Sequence, residues 1–200
     1  MKILSIDTAS NLCTVAVLEN KKCIKEIIVN DARNHSEKIM PVIEQALSES
    51  KLTLQDINLI VCDKGPGSFT GIRIGVGTVL AFKDSLNIPC VGISSLESLA
   101  YNIASDGIIC SLIDAKNNNV YFGVFEKKNN IVTQLEELNF KTIEEIIPIL
   151  TKYDKINFVG DGSIIHKEHL LSNLNTCTFS DKNDLSSFSL GLAGLNAYNQ

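Results

Sequence analysis

Two hundred residues with 44% hydrophobic and 20% charged side chains supply enough apolar material for a packed core, as one large domain or two small ones. A formal net charge of −5 excludes a broad basic surface able to bind nucleic acid unaided, so any role with RNA requires a partner. No apolar run reaches the ~18 residues of a membrane helix, the opening MKILSIDTAS lacks the pattern of a signal peptide, and the six cysteines are widely spaced with no CxxC pair, so a cytoplasmic protein with buried free thiols is expected.

In chain order, residues 2–7, 13–19 and 23–30 read as three short β-rich runs separated by turn residues, an antiparallel meander. A helix follows, where Asn34 and Glu37 resemble a capping box and Ile39, Ile43, Ala46 and Leu47 share one face. Pro41 removes one ladder hydrogen bond and is expected to bend it. Strand 57–62 leads into KGPGSFTGIRIGVG, residues 64–77, which holds five of the chain's 12 glycines, and this run opens a helix over 71–85. Strand 88–93 and a helix over 95–104, capped by Ser94 with Glu97 three residues on, complete the first half.

The order then begins again: strands 108–114, 120–126 and 131–140, a helix over 142–151, strand 156–160, a helix over 163–171, a short strand 176–179 and a last helix over 187–198. Three strands followed by alternating helix and strand thus occur twice, about a hundred residues apart. The expected organisation is an α/β protein with subdomains 1–105 and 106–200, the last helix being a candidate to pack back on the first subdomain.

The glycine run is the strongest local signal. A P-loop needs Lys and then Ser or Thr directly after its last Gly, whereas Gly71 is followed by Ile72 and Arg73; Gly65, Gly67 and Gly71 also miss the dinucleotide spacing. A tight turn with close packing is therefore the leading reading. Each glycine inside the helix costs about 1 kcal/mol relative to Ala, so Gly75 and Gly77 need a return. Gly71, Gly75, Thr78 and Phe82 form one stripe, and Ile72, Val76, Val79 and Leu80 another. If one stripe faces the sheet, the small one is free to admit a second helix, either from a partner or from the same domain.

Asp7 and Asp114 end the first strand of each half, and two such carboxylates could hold a metal and nucleotide phosphates. Each is followed by residues other than glycine, Thr8 and Ala9 or Ala115 and Lys116, which weakens nucleotide binding by the chain alone. His35 lacks a second His one turn on, where Ile39 stands, so no metal site is expected. His166 and His169 read as solvated helix surface, and Ser68 as a turn or capping residue.

The segments ILSIDTASNLCTVAVLE, HSEKIMPVIEQAL, GPGSFTGIRIGVGTVLAF and LNIPCVGISSLESLA together resemble the TsaB (YeaZ) family, dimerisation subunits of the bacterial tRNA threonylcarbamoyladenosine machinery. Further on, IDAKNNNVYFGVFE and FVGDGS resemble later segments of the same family, with Lys116 where the family has Arg. The resemblance implies an actin and Hsp70-like (ASKHA) duplicated βββαβαβα fold. It also implies a subunit that is no enzyme by itself, pairs with the catalytic paralogue TsaD, and joins the ATPase TsaE in a ternary complex. That complex transfers threonylcarbamoyl to N6 of the adenosine 3′ of the anticodon.

By the same resemblance no intrinsic cofactor is expected, ATP or ADP belongs to the complex, tRNA is reached only through it, and the chain alone is a candidate homodimer. TsaD-like proteins carry an HxxxH metal motif on the first long helix; the matching positions here are His35 and Ile39, so the metal is lost. Partner contact through the first two helices implies Ile39, Ile43, Gly71, Gly75, Val79 and Phe82 as interface residues, with Asp7 and Asp114 as vestigial nucleotide-site positions. Two other readings compete: a small ATP-dependent phosphotransferase of the same fold, which predicts ATP turnover, and a glycoprotease-like metallopeptidase, which predicts bound metal.

Overall fold

A computed structural model describes residues 1–30 and 34–200, which form two compact units, 1–98 with 185–200 and 99–184. The division runs through a short helix ahead of the expected boundary near Ser105, and the C-terminal helix belongs with the first unit. Among the described residues no helix is long and apolar enough to cross a membrane.

In the first unit β1 (Lys2–Asp7), β2 (Leu12–Glu19) and β3 (Lys22–Asn30) form the meander, and β4 (Leu59–Asp63) and β5 (Cys90–Ile93) extend it in parallel, in the order β3-β2-β1-β4-β5. Strand alternation loads both faces of this sheet. Leu4, Ile6, Cys13, Val15, Val17 and Ile60 pack under α1 (His35–Glu49) and α2 (Phe69–Leu86). Ser5, Leu18 and Val61 of the opposite phase meet α7 (Ser187–Tyr198), where Gly191 and Gly194 let the helix come down onto Leu18 and Val61. Glu26 of β3 caps α7 from outside, its Oε1 accepting from Phe188 N at 3.0 Å and Ser186 Oγ at 2.8 Å. The small residues that seat α7 explain why the last helix groups with the first unit.

In the second unit β6 (Gly107–Asp114), β7 (Asn119–Lys128), β8 (Ile131–Gln134), β9 (Asn139–Thr142), β10 (Ile156–Val159) and β11 (Cys177–Phe179) form a sheet ordered β11-β10-β6-β7-β8, with β9 also on β7. Read from β6 outwards, this repeats the strand order of the first unit. Asn129 and Asn130, both left-handed, make the two-residue hairpin between β7 and β8. The expected strand over 131–140 is two strands: the absent side chain at Gly123 leaves room for Leu138, and the chain crosses there from one half of β7 to the other. The core gathers Leu112, Phe122, Val124 and Phe158 with Ile143, Ile146 and Leu150 of α4 (Ile143–Leu150).

Other boundaries also moved. The helix α3 (Ser95–Ala100) stops short of 104, and Ser94 Oγ caps it by accepting from Leu96 N at 3.2 Å. The expected helix over 163–171 breaks at His166 into α5 (Asp161–Ile165) and α6 (Lys167–Asn173). Asn34 precedes α1 without the side-chain cap expected of it, and its backbone carbonyl accepts from Glu37 and Lys38 instead.

Candidate functional site

The glycine run is the turn between β4 and α2, and it seats α2 on the residues that leave β1. Ser68 is the N-cap, its Oγ accepting from Gly71 N at 3.2 Å. Ser68 N donates to Ala9 O at 2.7 Å, and Thr8 Oγ1 donates to Gly71 O at 2.7 Å. A Cβ on Gly71 would fall inside Thr8 O, one on Gly67 inside Ala9 O, and one on Gly75 against Thr8 Oγ1. The small stripe of α2 is therefore filled by the chain's own Thr8–Ala9 turn, neither by a second helix nor by an open groove.

The residues expected at a partner contact lie inward. Ile39, Ile43, Gly71, Gly75 and Val79 are buried in the first unit, and Phe82 is half-buried against the same core. Only three of the eighteen residues of α2, Gly71, Gly75 and Val79, are buried, although the helix is rich in apolar side chains. Its outer stripe runs Phe69, Arg73, Gly77, Leu80 and Asp84, with Phe69 73% and Leu80 47% exposed. The Arg73 guanidinium lies 5.0 Å from the Phe69 ring centroid. A Cβ at Gly77 would meet nothing within 4 Å. Neighbouring α1 adds Met40, 40% exposed. The signal for this face was present in the sequence: Gly77 lies two residues from Gly75, about 200° round the helix, so the two cannot serve one stripe.

Beneath the turn lies a pair of acids of which sequence reasoning found one. Asp7 and Asp63 end adjacent parallel strands, where Ile6 stands opposite Cys62, and they are only 1% and 2% exposed. Asp7 Oδ1 accepts from Ala9 N at 2.8 Å; Asp63 Oδ1 accepts from Gly65 N and from Ser95 Oγ, both at 2.6 Å. The second oxygens, Asp7 Oδ2 and Asp63 Oδ2, are buried and have no hydrogen-bond partner among the described residues. Burial, reinforced by the charge of Asp63, holds Asp7 well above the usual carboxylate range. Burial also raises Asp63, to about 6, against the bonds from Ser95 and Gly65. Asp63 escaped the sequence reading because strand 57–62 was expected to end one residue earlier.

Asp114, the matching residue of the second unit, is in the opposite state. Partial burial pushes its carboxyl up, but the Lys116 ammonium at 2.7 Å and the Lys116 N–H outweigh that and hold it below its ordinary value. His166 Nε2 stands 4.0 Å away. Lys116, Asn117 and Asn118 form a left-handed turn, and Asp161 Oδ1 accepts from Asp114 N at 3.0 Å. His35 is buried with Nε2 2.9 Å from Ser10 O. Among the described residues no group of three or more His, Cys, Asp or Glu is arranged to hold a metal.

Comparison with known proteins places this geometry. The model of the family described as TsaD, tRNA N6-adenosine threonylcarbamoyltransferase, matches residues 22–187. The tRNA threonylcarbamoyladenosine biosynthesis protein TsaB of Bacillus subtilis is 35% identical over 181 residues, covering 90% of this chain and 79% of that protein. Among solved structures, YeaZ from Pseudomonas aeruginosa superposes with a TM-score of 0.83 at 23% identity, over 99% of this chain and 92% of that one. A ROK hexokinase from Thermus thermophilus shares the fold at a TM-score of 0.60 and 11% identity, over 100% of this chain and 99% of that one, which makes the architecture ASKHA-like.

Proposed function

The chain belongs to the TsaB family of tRNA threonylcarbamoyladenosine biosynthesis proteins, and we propose that it serves that modification as a non-catalytic subunit docking on TsaD through the outer faces of α1 and α2. In this reading TsaD performs the transfer of threonylcarbamoyl to N6 of the adenosine 3′ of the anticodon, TsaE joins the pair, and ATP or ADP and tRNA belong to the complex.

The observation that carries the proposal is the uncovered apolar stripe of α2. Phe69 and Leu80 stand in solvent on a helix whose fully buried residues are two glycines and one valine, with Ile74, Val76 and Phe82 partly buried against the same core. Phe69 and Leu80 give that face two exposed apolar side chains for a protein contact to cover. Arg73 over Phe69 adds the residue types that dominate interface energetics. The open position at Gly77 lets a partner helix approach closely in the middle of the stripe. The buried state of Asp7, with Thr8 and Ala9 filled against α2, favours the subunit reading over a phosphotransferase, because no phosphate can approach that backbone without displacing the helix.

The test is reconstitution of tRNA threonylcarbamoylation from purified components with and without this chain, together with a titration of TsaD. Leu80→Asp leaves the fold intact and is expected to weaken TsaD binding by about thirty-fold, the size of a hot-spot loss. Unchanged affinity removes α2 from the interface, and activity independent of this chain removes the assigned role. ATP turnover by the isolated chain would instead favour the phosphotransferase.

A further inference from the structure

We propose that Asp7 and Asp63 share a single proton, and that this proton fastens together the two turns on which α2 rests, so that its loss loosens the docking face. The second half of this statement rests on the reading of α2 as that face; the first half does not.

The bonds on each carboxyl assign the proton. Asp63 Oδ1 already accepts from Gly65 N and Ser95 Oγ, whereas among the described residues Asp7 Oδ1 accepts from Ala9 N alone. Asp63 is therefore the better-solvated anion and Asp7 the acid, with Asp7 Oδ2–H donating to Asp63 Oδ2. That one bond satisfies both oxygens that otherwise have no donor. Among the described residues no cation is paired with either carboxyl: Glu26 adds negative charge to Asp7, and Lys64 acts on Cys62 and Glu97. The neighbouring thiols of Cys13 and Cys62 are each raised to about 11, by burial first and the carboxylates second, and so stay neutral. Two charged carboxylates in contact and out of water repel strongly, as in other dyads that titrate as a unit.

The consequence travels a short distance. Asp7 fixes Ala9 N, and Ala9 O holds Ser68 N, the N-cap of α2. Thr8, next in the chain, holds Gly71 O. Asp63 fixes Gly65 at the start of the glycine turn and Ser95 at the start of α3. Separating the carboxyls therefore pulls on both ends of the loop that positions Phe69.

Carboxyl 13C NMR on the isolated full chain tests the pair, and glycine amide shifts test the coupling. One aspartate is expected to stay protonated to above about pH 6, beyond the usual carboxylate range. The amides of Gly65 and Gly71 should move with the same midpoint. Asp7→Asn, whose amide donates permanently to Asp63, should abolish that movement. Should this variant fail to fold, Asp63→Asn replaces it, and the wild-type carboxyl titration needs no variant. Both carboxyls titrating below about pH 5 overturns the shared proton. Glycine amides indifferent to the titration overturn the coupling. The carboxyl experiment needs no TsaD, so the docking reading fails separately, through Leu80→Asp. With docking intact, TsaD affinity of the wild type should fall through the same midpoint, while that of Asp7→Asn stays level.

Discussion

The turns that end β1 and β6 occupy one position in two sheets of the same strand order, yet they treat their carboxylates in opposite ways. Asp7 is sealed under α2 beside a second acid, while Asp114 is charged, held by Lys116 and close to His166. The neighbours decide the difference. After Asp7 the chain runs through Thr8 and Ala9 directly beneath three helix-side glycines; after Asp114 it swings out through three left-handed residues. A repeated scaffold thus preserves the place of a carboxylate without preserving its charge.

The largest effects should come from the close approaches that both turns need. In the first unit Gly71 packs on Thr8 O; in the second, Gly160 packs on Leu112 O with φ of +99°. Gly71→Ala and Gly160→Ala each drive a methyl into a carbonyl oxygen, and each is expected to cost about 3 kcal/mol or more, read as a lowered urea midpoint. If Gly71→Ala is tolerated, the seat of α2 is softer than its geometry implies and the contrast between the turns weakens.

A pH series separates the two turns by sign. For Asp7 and Asp63 the folded values lie above the unfolded ones, so the folded chain holds a proton that the unfolded chain has released. Their stabilising contribution is full below the ordinary carboxylate value of about 4 and falls as pH rises through about 6 and beyond. For Asp114 the folded value lies lower, so its contribution is present above that ordinary value and is lost as pH falls. Urea midpoints against pH should therefore flatten on the alkaline side in Asp7→Asn and on the acid side in Asp114→Asn. Parallel curves for both variants and the wild type would show that the turns are electrostatically alike.

Much of this was legible in the sequence. The doubled order of three strands and alternating helices came from period and turn residues, and the strand orders of the two sheets match it. The ends of β1 and β6 were found because both carry an acid after an apolar run. Asp63 was not, since its meaning depends on β4 lying parallel beside β1, a pairing across more than fifty residues that no local pattern encodes. The direction of the α2 glycines was misjudged for a related reason. Periodicity separates the faces of a helix, but only the Thr8–Ala9 turn shows which face is filled. The split of 131–140 into β8 and β9 depends likewise on Leu138 reaching Gly123 of another strand.

The smallest expected effect is also the one that joins stability to docking. Gly77 sits mid-helix with open space around its Cα, so Gly77→Ala should stabilise the chain by up to about 1 kcal/mol, raising the thermal midpoint by a few degrees. A residue that can be improved so simply has a reason to be glycine outside its own fold, and close approach of a TsaD helix is that reason in the docking model. Gly77→Leu should keep most of the added stability yet lower TsaD affinity further than Gly77→Ala, because the longer side chain occupies the approach. Gly75→Leu should lose the fold first, since its Cβ already meets Thr8 Oγ1. If Gly77→Leu binds TsaD as the wild type does, the contact lies elsewhere on the helices, and the exposed Met40 side of α1 becomes the place to look.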